Sequence, residues 1–372
     1  MAGYLMRRVV QMTGVLILSS LLIYLFLYMA PGGPLDGLNQ TGDRRARLSE
    51  DQIQRIAEYM GLHRGPAWGY VAWLSGEDWL DNVGLGHLQR LTCQSNESFC
   101  SRGVLRADFG ESWTVARGQS VAQVLGSRFR NTLLLTVTAT ILSLFVAIPI
   151  GIYSAVRQYS RADYALTTFA FFGTAMPVFW FGIMMIILFG GNQSLWYKQT
   201  GLPYLPTGNV SLVRTPMPGS LQGALNVSPG SWGDIAIHLI MPALVLSLLY
   251  MAQWSRFMRT QMLEVLRQDY VRTARSKGLT ERVVIYKHAL RNALIPLITI
   301  VVFQIPGIFS GAIITETVFN WIGMGQLYIR ALGSLDYPVQ MAFLFITAVL
   351  TVLATLLRDI LYTIVDPRIR FS

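Results

Sequence analysis

Apolar residues in this chain fall in long unbroken blocks instead of alternating with polar ones. Six blocks are long enough to cross about 30 Å of hydrocarbon as helices. They cover residues 9–29, 131–156, 164–189, 234–254, 293–315 and 339–364. Between them lie two long polar stretches, about 30–130 and 190–233, and a shorter basic one at about 256–292. In the first stretch, Ser49 and Gln52 have capping-box spacing. Ile53, Ile56, Ala57 and Met60 share one face and Gly61 follows, which predicts a helix starting near Leu48. The 190–233 stretch is rich in Gly, Pro and Ser and reads as loop. The first block follows Arg7 and Arg8 as a secretory signal would. Its apolar core of about 21 residues is too long for that and Pro31 follows directly, so it reads as a retained anchor.

Composition agrees with a bilayer environment: 52% of the 372 residues are hydrophobic and only 13% charged. The net charge of +10 raises the question of nucleic acid. With alternating spans, 16 Lys/Arg and 6 Asp/Glu fall on the side of the N-terminus, against 14 and 14 on the other, so the whole excess lies on one side. That asymmetry follows the positive-inside rule and places both termini in the cytoplasm. No aromatic-plus-basic stripe points to a nucleic-acid partner. Cys93 and Cys100, the only cysteines, both fall in the first outer stretch. They form either a local disulfide, which the oxidising side favours, or two free thiols.

Ionisable residues are almost missing from the blocks. His238 lies near the outer end of the fourth, and Arg358 and Asp359 near the inner end of the sixth, where they are placed to pair. Ion-coupled carriers normally hold titratable groups near the midplane, so this pattern argues against energy drawn from an ion gradient. Prolines, in contrast, recur within or at the ends of the blocks at positions 149, 177, 242, 296 and 306, where each can bend a helix.

The most informative stretch is 261–296. Met262, Val265, Leu266 and Tyr270 keep helical spacing up to Lys277-Gly278, where glycine can take the left-handed conformation that closes a helix. Thr280 is placed to cap a second helix carrying Val283, Val284, Tyr286 and Leu290. The prediction is helix, tight glycine turn, helix, on the cytoplasmic side. A merely basic inner loop accounts for the charges but not for Gly278 or for Ile295-Pro296.

The run Asp269-Tyr270-Val271-Arg272-Thr273-Ala274-Arg275-Ser276-Lys277-Gly278-Leu279 resembles the "EAA" loop of binding-protein-dependent ABC importer permeases. It is most similar to the dipeptide/oligopeptide/nickel subfamily. Pro31-Gly32-Gly33-Pro34, Gly61-Leu62, Trp73-Leu74, Asp108-Phe109-Gly110-Glu111-Ser112, Asn131-Thr132-Leu133 and Val365-Asp366-Pro367-Arg368 follow the same pattern, so the resemblance covers most of the chain. Asp269 stands where the subfamily usually has Glu, and Gly33 where it often has Asp. Residues 77–106 look like an insertion.

The resemblance implies an all-α membrane protein of the type I importer permease kind, with six transmembrane helices and a long extracytoplasmic segment after the first. Its parts would be 1–30 (N-terminus and first helix), 31–130 (outer segment), 131–364 (five-helix core with coupling loop 256–292) and 365–372 (tail). It further implies a coupling role for Asp269, Arg272, Thr273, Ala274, Arg275, Gly278, Leu279 and Pro296. Implied partners are a second homologous permease, two ABC ATPase subunits or domains, an extracytoplasmic solute-binding protein and the lipid bilayer of the plasma (inner) membrane. The sequence contains no G-x-x-x-x-G-K-[ST] phosphate loop, so ATP would be used by the partner, with no cofactor, metal site or catalysis in this chain. Two other classes compete: a carrier or channel not driven by ATP, and a membrane-bound scaffold or enzyme acting through its outer segment. The first gives no reason for the 261–296 stretch, and the outer segment that the second relies on, with its insertion and cysteines, holds no catalytic constellation.

Overall fold

The computed structural model describes residues 2–29, 64–89, 100–212, 214–310 and 312–365, together with Gln54, Glu58 and Cys93. The expected helix from Leu48, the Pro31–Pro34 motif and most of the closing Val365–Arg368 motif lie outside these residues, as do the side chains of Arg358 and Asp359. Among the described residues the architecture is helical, with only isolated β-bridges. Among the described residues, five helices are long and apolar enough to cross a membrane: Met6–Met29, Val121–Val156, Trp232–Leu266, Glu281–Val302 and Tyr337–Leu357. A bent pair, Arg161–Ala175 and Val178–Phe189, makes a sixth when counted as one span.

The main helices are α1 (Ala2–Met29), α2 (Pro66–Ser75), α3 (Val121–Val156), α4 (Arg161–Ala175), α5 (Val178–Phe189), α6 (Trp232–Leu266), α7 (Asp269–Ser276), α8 (Leu290–Ser310), α9 (Ile313–Val318), α10 (Met324–Gly333) and α11 (Tyr337–Val365). Large apolar side chains point outward from several of them; Phe145 of α3 is 78% exposed and Phe26 of α1 is 72% exposed. Such surfaces are stable where hydrocarbon or a partner protein takes the place of water.

The third apolar block is not one helix, as the pattern predicts, but α4 and α5 meeting at 103°. Pro177 lacks the N–H that would continue the helix, and it drives Met176 to an extended backbone at φ −77, ψ 130. Pro149 and Pro242 stay inside α3 and α6, so a proline alone does not break a span here. The fifth block is shifted relative to the pattern: α8 ends at Ser310, and Thr315 belongs to the separate α9.

The chain divides into two compact units. The first holds residues 1–129, 327–352 and 371–372. In it, Tyr24 of α1 packs against Tyr70 and Trp73 of α2, with ring centroids 5.7 and 6.2 Å apart. The Arg106 guanidinium grips both oxygens of Asp78 at 2.6 Å and holds that carboxyl below its ordinary pKa. Cys93 and Cys100 are bonded, with Cα atoms 4.5 Å apart. The buried carboxylate of Asp336 accepts from the Ser112 hydroxyl at 2.5 Å and from the backbone N–H groups of Trp113, Thr114 and Val115 at 3.2, 3.0 and 2.9 Å.

The second unit holds residues 130–326 and 353–370. Its helices α4 and α6 each begin with Ser-x-x-Asp: Ser160 and Ser231 accept from the N–H of Asp163 and Asp234. A buried polar knot joins the start of the apolar part of α3 to the α9–α10 connection. Asn131 Nδ2 donates to the Ile322 carbonyl at 2.8 Å, and Trp321 Nε1 donates to the Asn131 carbonyl at 2.9 Å. Thr132 Oγ1 donates to Glu316 Oε1 at 2.7 Å, and Glu316 Oε2 accepts from the Gln326 N–H at 3.0 Å.

Burial pushes the Glu316 carboxyl above its ordinary pKa, although Thr132 and the nearby backbone N–H groups pull the other way. The folded state therefore binds this proton more tightly than the unfolded state. The resulting stability is complete at low pH and is lost as pH rises from the ordinary glutamate range through the raised value. The Tm of wild type relative to Glu316→Gln should accordingly fall across that window. A Tm difference that stays constant with pH would contradict the assignment.

Candidate functional site: the 261–296 segment

The predicted helix through Met262–Tyr270 is interrupted. α6 ends at Leu266, where the Arg267 and Gln268 N–H groups turn back to the carbonyls of Glu264 and Val265 at 3.3 and 3.0 Å. Gln268 is extended, at φ −72, ψ 149, and α7 restarts behind it with Asp269 in its first turn and Arg275 in its last, as the helix dipole favours. Helical spacing continues across this break, so the pattern alone does not show it.

α7 is eight residues long and too short to hold itself together in water. It is held by its buried side: Val271 is 0% exposed and Ala274 nearly so. Both join a cluster with Trp254, Met258 and Met262 of α6, Val284, Ile285 and Ala289, and Ala293 and Leu297 of α8. The other face is open. Asp269, Arg272, Thr273, Arg275 and Leu279 are exposed, and Thr273 Oγ1 donates back to the Asp269 carbonyl at 2.9 Å.

Gly278 has φ +74, the left-handed value read for it from the sequence, and its N–H donates to the Arg275 carbonyl at 2.9 Å. No atom lies within 4 Å of where its Cβ would stand. Arg275 reaches across the turn to both oxygens of Glu281, the nearer at 2.7 Å. Thr280 occupies the cap position of the next helix, but its hydroxyl does not accept a capping bond. That helix, Glu281–Val283, continues through a π-helical turn, Val284–Ala289, directly into α8. Pro296 lies inside α8 and is half-buried. The chain thus presents a small rigid projection, buried on one side and bare on the other, between two long apolar helices. Tyr270, Leu279, Val283 and Tyr286 add exposed apolar surface to it.

The structure gathers Asp269, Arg272, Thr273, Ala274, Arg275, Gly278 and Leu279 in this projection and leaves Pro296 farther along its supporting helix. Buried acidic groups elsewhere were not foreseen. Besides Glu316 and Asp336, the described residues include Glu77, paired with Arg64 at 3.1 Å, Asp163, paired with Arg259 at 2.9 Å, and Asp234, which lies 3.0 Å from His238 Nδ1. Asp234 also accepts from the backbone N–H groups of Leu212 and Gly230 at 2.8 and 2.9 Å, fixing the 190–233 stretch to the start of α6. The Ser-x-x-Asp spacing was the one available signal for Asp163 and Asp234. Among the described residues no group of three or more His, Cys, Asp or Glu side chains is placed to hold a metal.

The sequence model of the family described as "Binding-protein-dependent transport system inner membrane component" matches residues 147–371, which include the whole projection. The chain is 36% identical over 371 residues to the oligopeptide transport system permease protein AppB of Bacillus subtilis (strain 168), covering 100% of both. It is 33% identical over 377 residues to the dipeptide transport system permease protein DppB of Escherichia coli (strain K12), covering 100% of this chain and 99% of that one. It is also 33% identical over 375 residues to the oligopeptide transport system permease protein OppB of Mycobacterium bovis, covering 100% of both. With this breadth of likeness, on a helical chain with five to six apolar spans, the protein belongs to the family of binding-protein-dependent transport system inner membrane components.

Proposed function

We propose that this chain is a permease subunit of an ATP-driven importer and forms half of the translocation pathway for di- or oligopeptides. The observation that carries this reading is the 269–283 projection, because an exposed, well-anchored knob is what a separate motor subunit needs in order to move the spans. The full-length likeness to permeases named for oligopeptide and dipeptide transport supports the substrate class. The proposed partners are a second homologous permease, two nucleotide-binding subunits that use the ATP, and an outer solute-binding protein. Both termini and the projection face the cytoplasm, in keeping with the basic residues gathered on that side. The 31–130 segment, with its 77–106 insertion and the Cys93–Cys100 pair, faces outward.

Affinity purification from native membranes, followed by mass spectrometry, tests the assembly. Wild type should bring down a nucleotide-binding subunit and a second permease. Gly278→Ala adds only the strain of a side chain at positive φ, about 1 kcal/mol, and should keep both partners. Gly278→Trp carries the same strain but fills space that is empty in this chain, so it should lose the nucleotide-binding subunit and keep the second permease. Wild type recovered alone, even after cross-linking, would overturn the reading in favour of a carrier or channel.

A further inference from the structure

α4 is fastened to α6 along a single face. Asp163, Thr167 and Phe171 stand at i, i+4 and i+8, one stripe of a helix. Opposite them, Arg259 Nη2 lies 2.9 Å from Asp163 Oδ2, and Nη1 donates to Thr167 Oγ1 at 3.5 Å. Farther along, the Arg256 guanidinium lies over the Phe171 ring, 5.3 Å from its centroid. The helices then close on Gly173, where a Cβ would come within 3.1 Å of Ala252 Cβ.

The Asp163–Arg259 contact is the anchor of this face. The Asp163 side chain is 3% exposed, and its Oδ2 also accepts from the Tyr159 N–H at 2.9 Å, which closes the turn that leads into α4. Tyr159 itself is held at φ +60, a conformation that a non-glycine residue keeps only when its surroundings fix it. Arg259 Nε is buried and meets no acceptor among the described residues, so the guanidinium is oriented through its two terminal nitrogens.

The other end of the connection is the projection. Met258 and Met262, on either side of Arg259 in α6, are fully buried in the cluster that seats Val271 and Ala274 of α7. Close-packed side chains of this kind shift together and do not absorb displacement. α4 then ends at the Met176–Pro177 bend, beyond which α5 packs against a different set, Met241, Val245 and Phe319.

We infer that the Asp163–Arg259 ion pair is a strut through which movement of the 269–283 projection is passed to α4, with the Met176–Pro177 bend as the hinge. The inference rests on the importer reading and names two positioning residues within it. The pair stays closed through the cycle, so the linkage is a rigid-body one.

The test is made on the complete complex, with its ATPase and second permease, reconstituted in vesicles with the binding protein. The quantity read is labelled peptide taken up per ATP hydrolysed. Asp163→Asn and Arg259→Gln should each keep the ATPase bound and hydrolysing while lowering that ratio about tenfold, within the usual range of coupling between sites. Arg259→Lys, which keeps the charge but loses the fork, should lose less. The double variant should be no worse than the poorer single one, because both changes remove the same link. Should Asp163→Asn fail to accumulate, Arg259→Gln against Arg259→Lys carries the test, since Asp163 then keeps its hold on Tyr159. An unchanged ratio in Arg259→Gln, or additive losses in the double variant, would overturn the strut. A wild-type complex without ATP-dependent uptake would instead overturn the importer reading beneath it.

Discussion

Val271→Asp should lower recovery of the nucleotide-binding subunit at least about tenfold, with a matching loss of ATP-driven uptake. The reason lies in how little holds α7 in place. Its eight residues cannot sustain a helix alone, and the burial of Val271 and Ala274 supplies the seat. Burying a valine is worth about 1.5–3 kcal/mol. An aspartate there removes that gain and adds the cost of a carboxylate with no partner, so α7 leaves its seat. The supporting helices retain Trp254, Met258, Ala289, Ala293 and Leu297, and the chain should still insert and pair with its second permease. Val271→Ala gives up only part of the contact and should fall between. Full recovery of the ATPase with Val271→Asp would show that the projection is not where the two subunits meet.

Asp336→Ala should destabilise the first unit by about 4 kcal/mol and Asp336→Asn by about 2 kcal/mol, because one buried and three part-buried donors lose a charged acceptor, at about 1 kcal/mol each. Oδ2 takes the Ser112 hydroxyl and the Thr114 and Val115 N–H groups, while Oδ1 takes only the Trp113 N–H at 3.2 Å. Asparagine can place its oxygen on the crowded side and sacrifice the weaker bond. Alanine leaves all four donors stranded. Thermal unfolding of the purified protein, with proteolysis around residues 112–116 as a local readout, should rank wild type above Asn above Ala. Equal stability of the three would mean that the carboxylate does not hold this loop.

Much of the architecture was legible because the bilayer writes itself into composition: apolar blocks of fixed length and basic residues on one side are demands of the solvent, not of packing. Gly278 was legible for a local reason, since a glycine after a helical run answers a need for positive φ that little else meets. The break at Met176–Pro177 was not, because Pro149 and Pro242 look the same on paper and remain within continuous helices. What differs is the packing of α5 against α6 and residues 318–319, which no local pattern contains. The break at Arg267–Gln268 was hidden for a related reason. Tyr270 keeps the apolar spacing of the preceding helix but is exposed, while its neighbour Val271 carries the burial. The buried carboxylates were farthest from view. Glu316 finds Thr132 across 184 positions and Asp163 finds Arg259 across 96, distances over which sequence spacing says nothing about partners.

The central claim is that ATP hydrolysed by a separate subunit drives peptide through a pathway this chain helps to form. Its most direct test is uptake of a labelled di- or oligopeptide into vesicles holding the reconstituted complex and its binding protein. Accumulation that requires hydrolysable ATP, and that disappears in Val271→Asp, is the predicted result. Uptake that proceeds without ATP, or that follows an imposed ion gradient, would contradict the account.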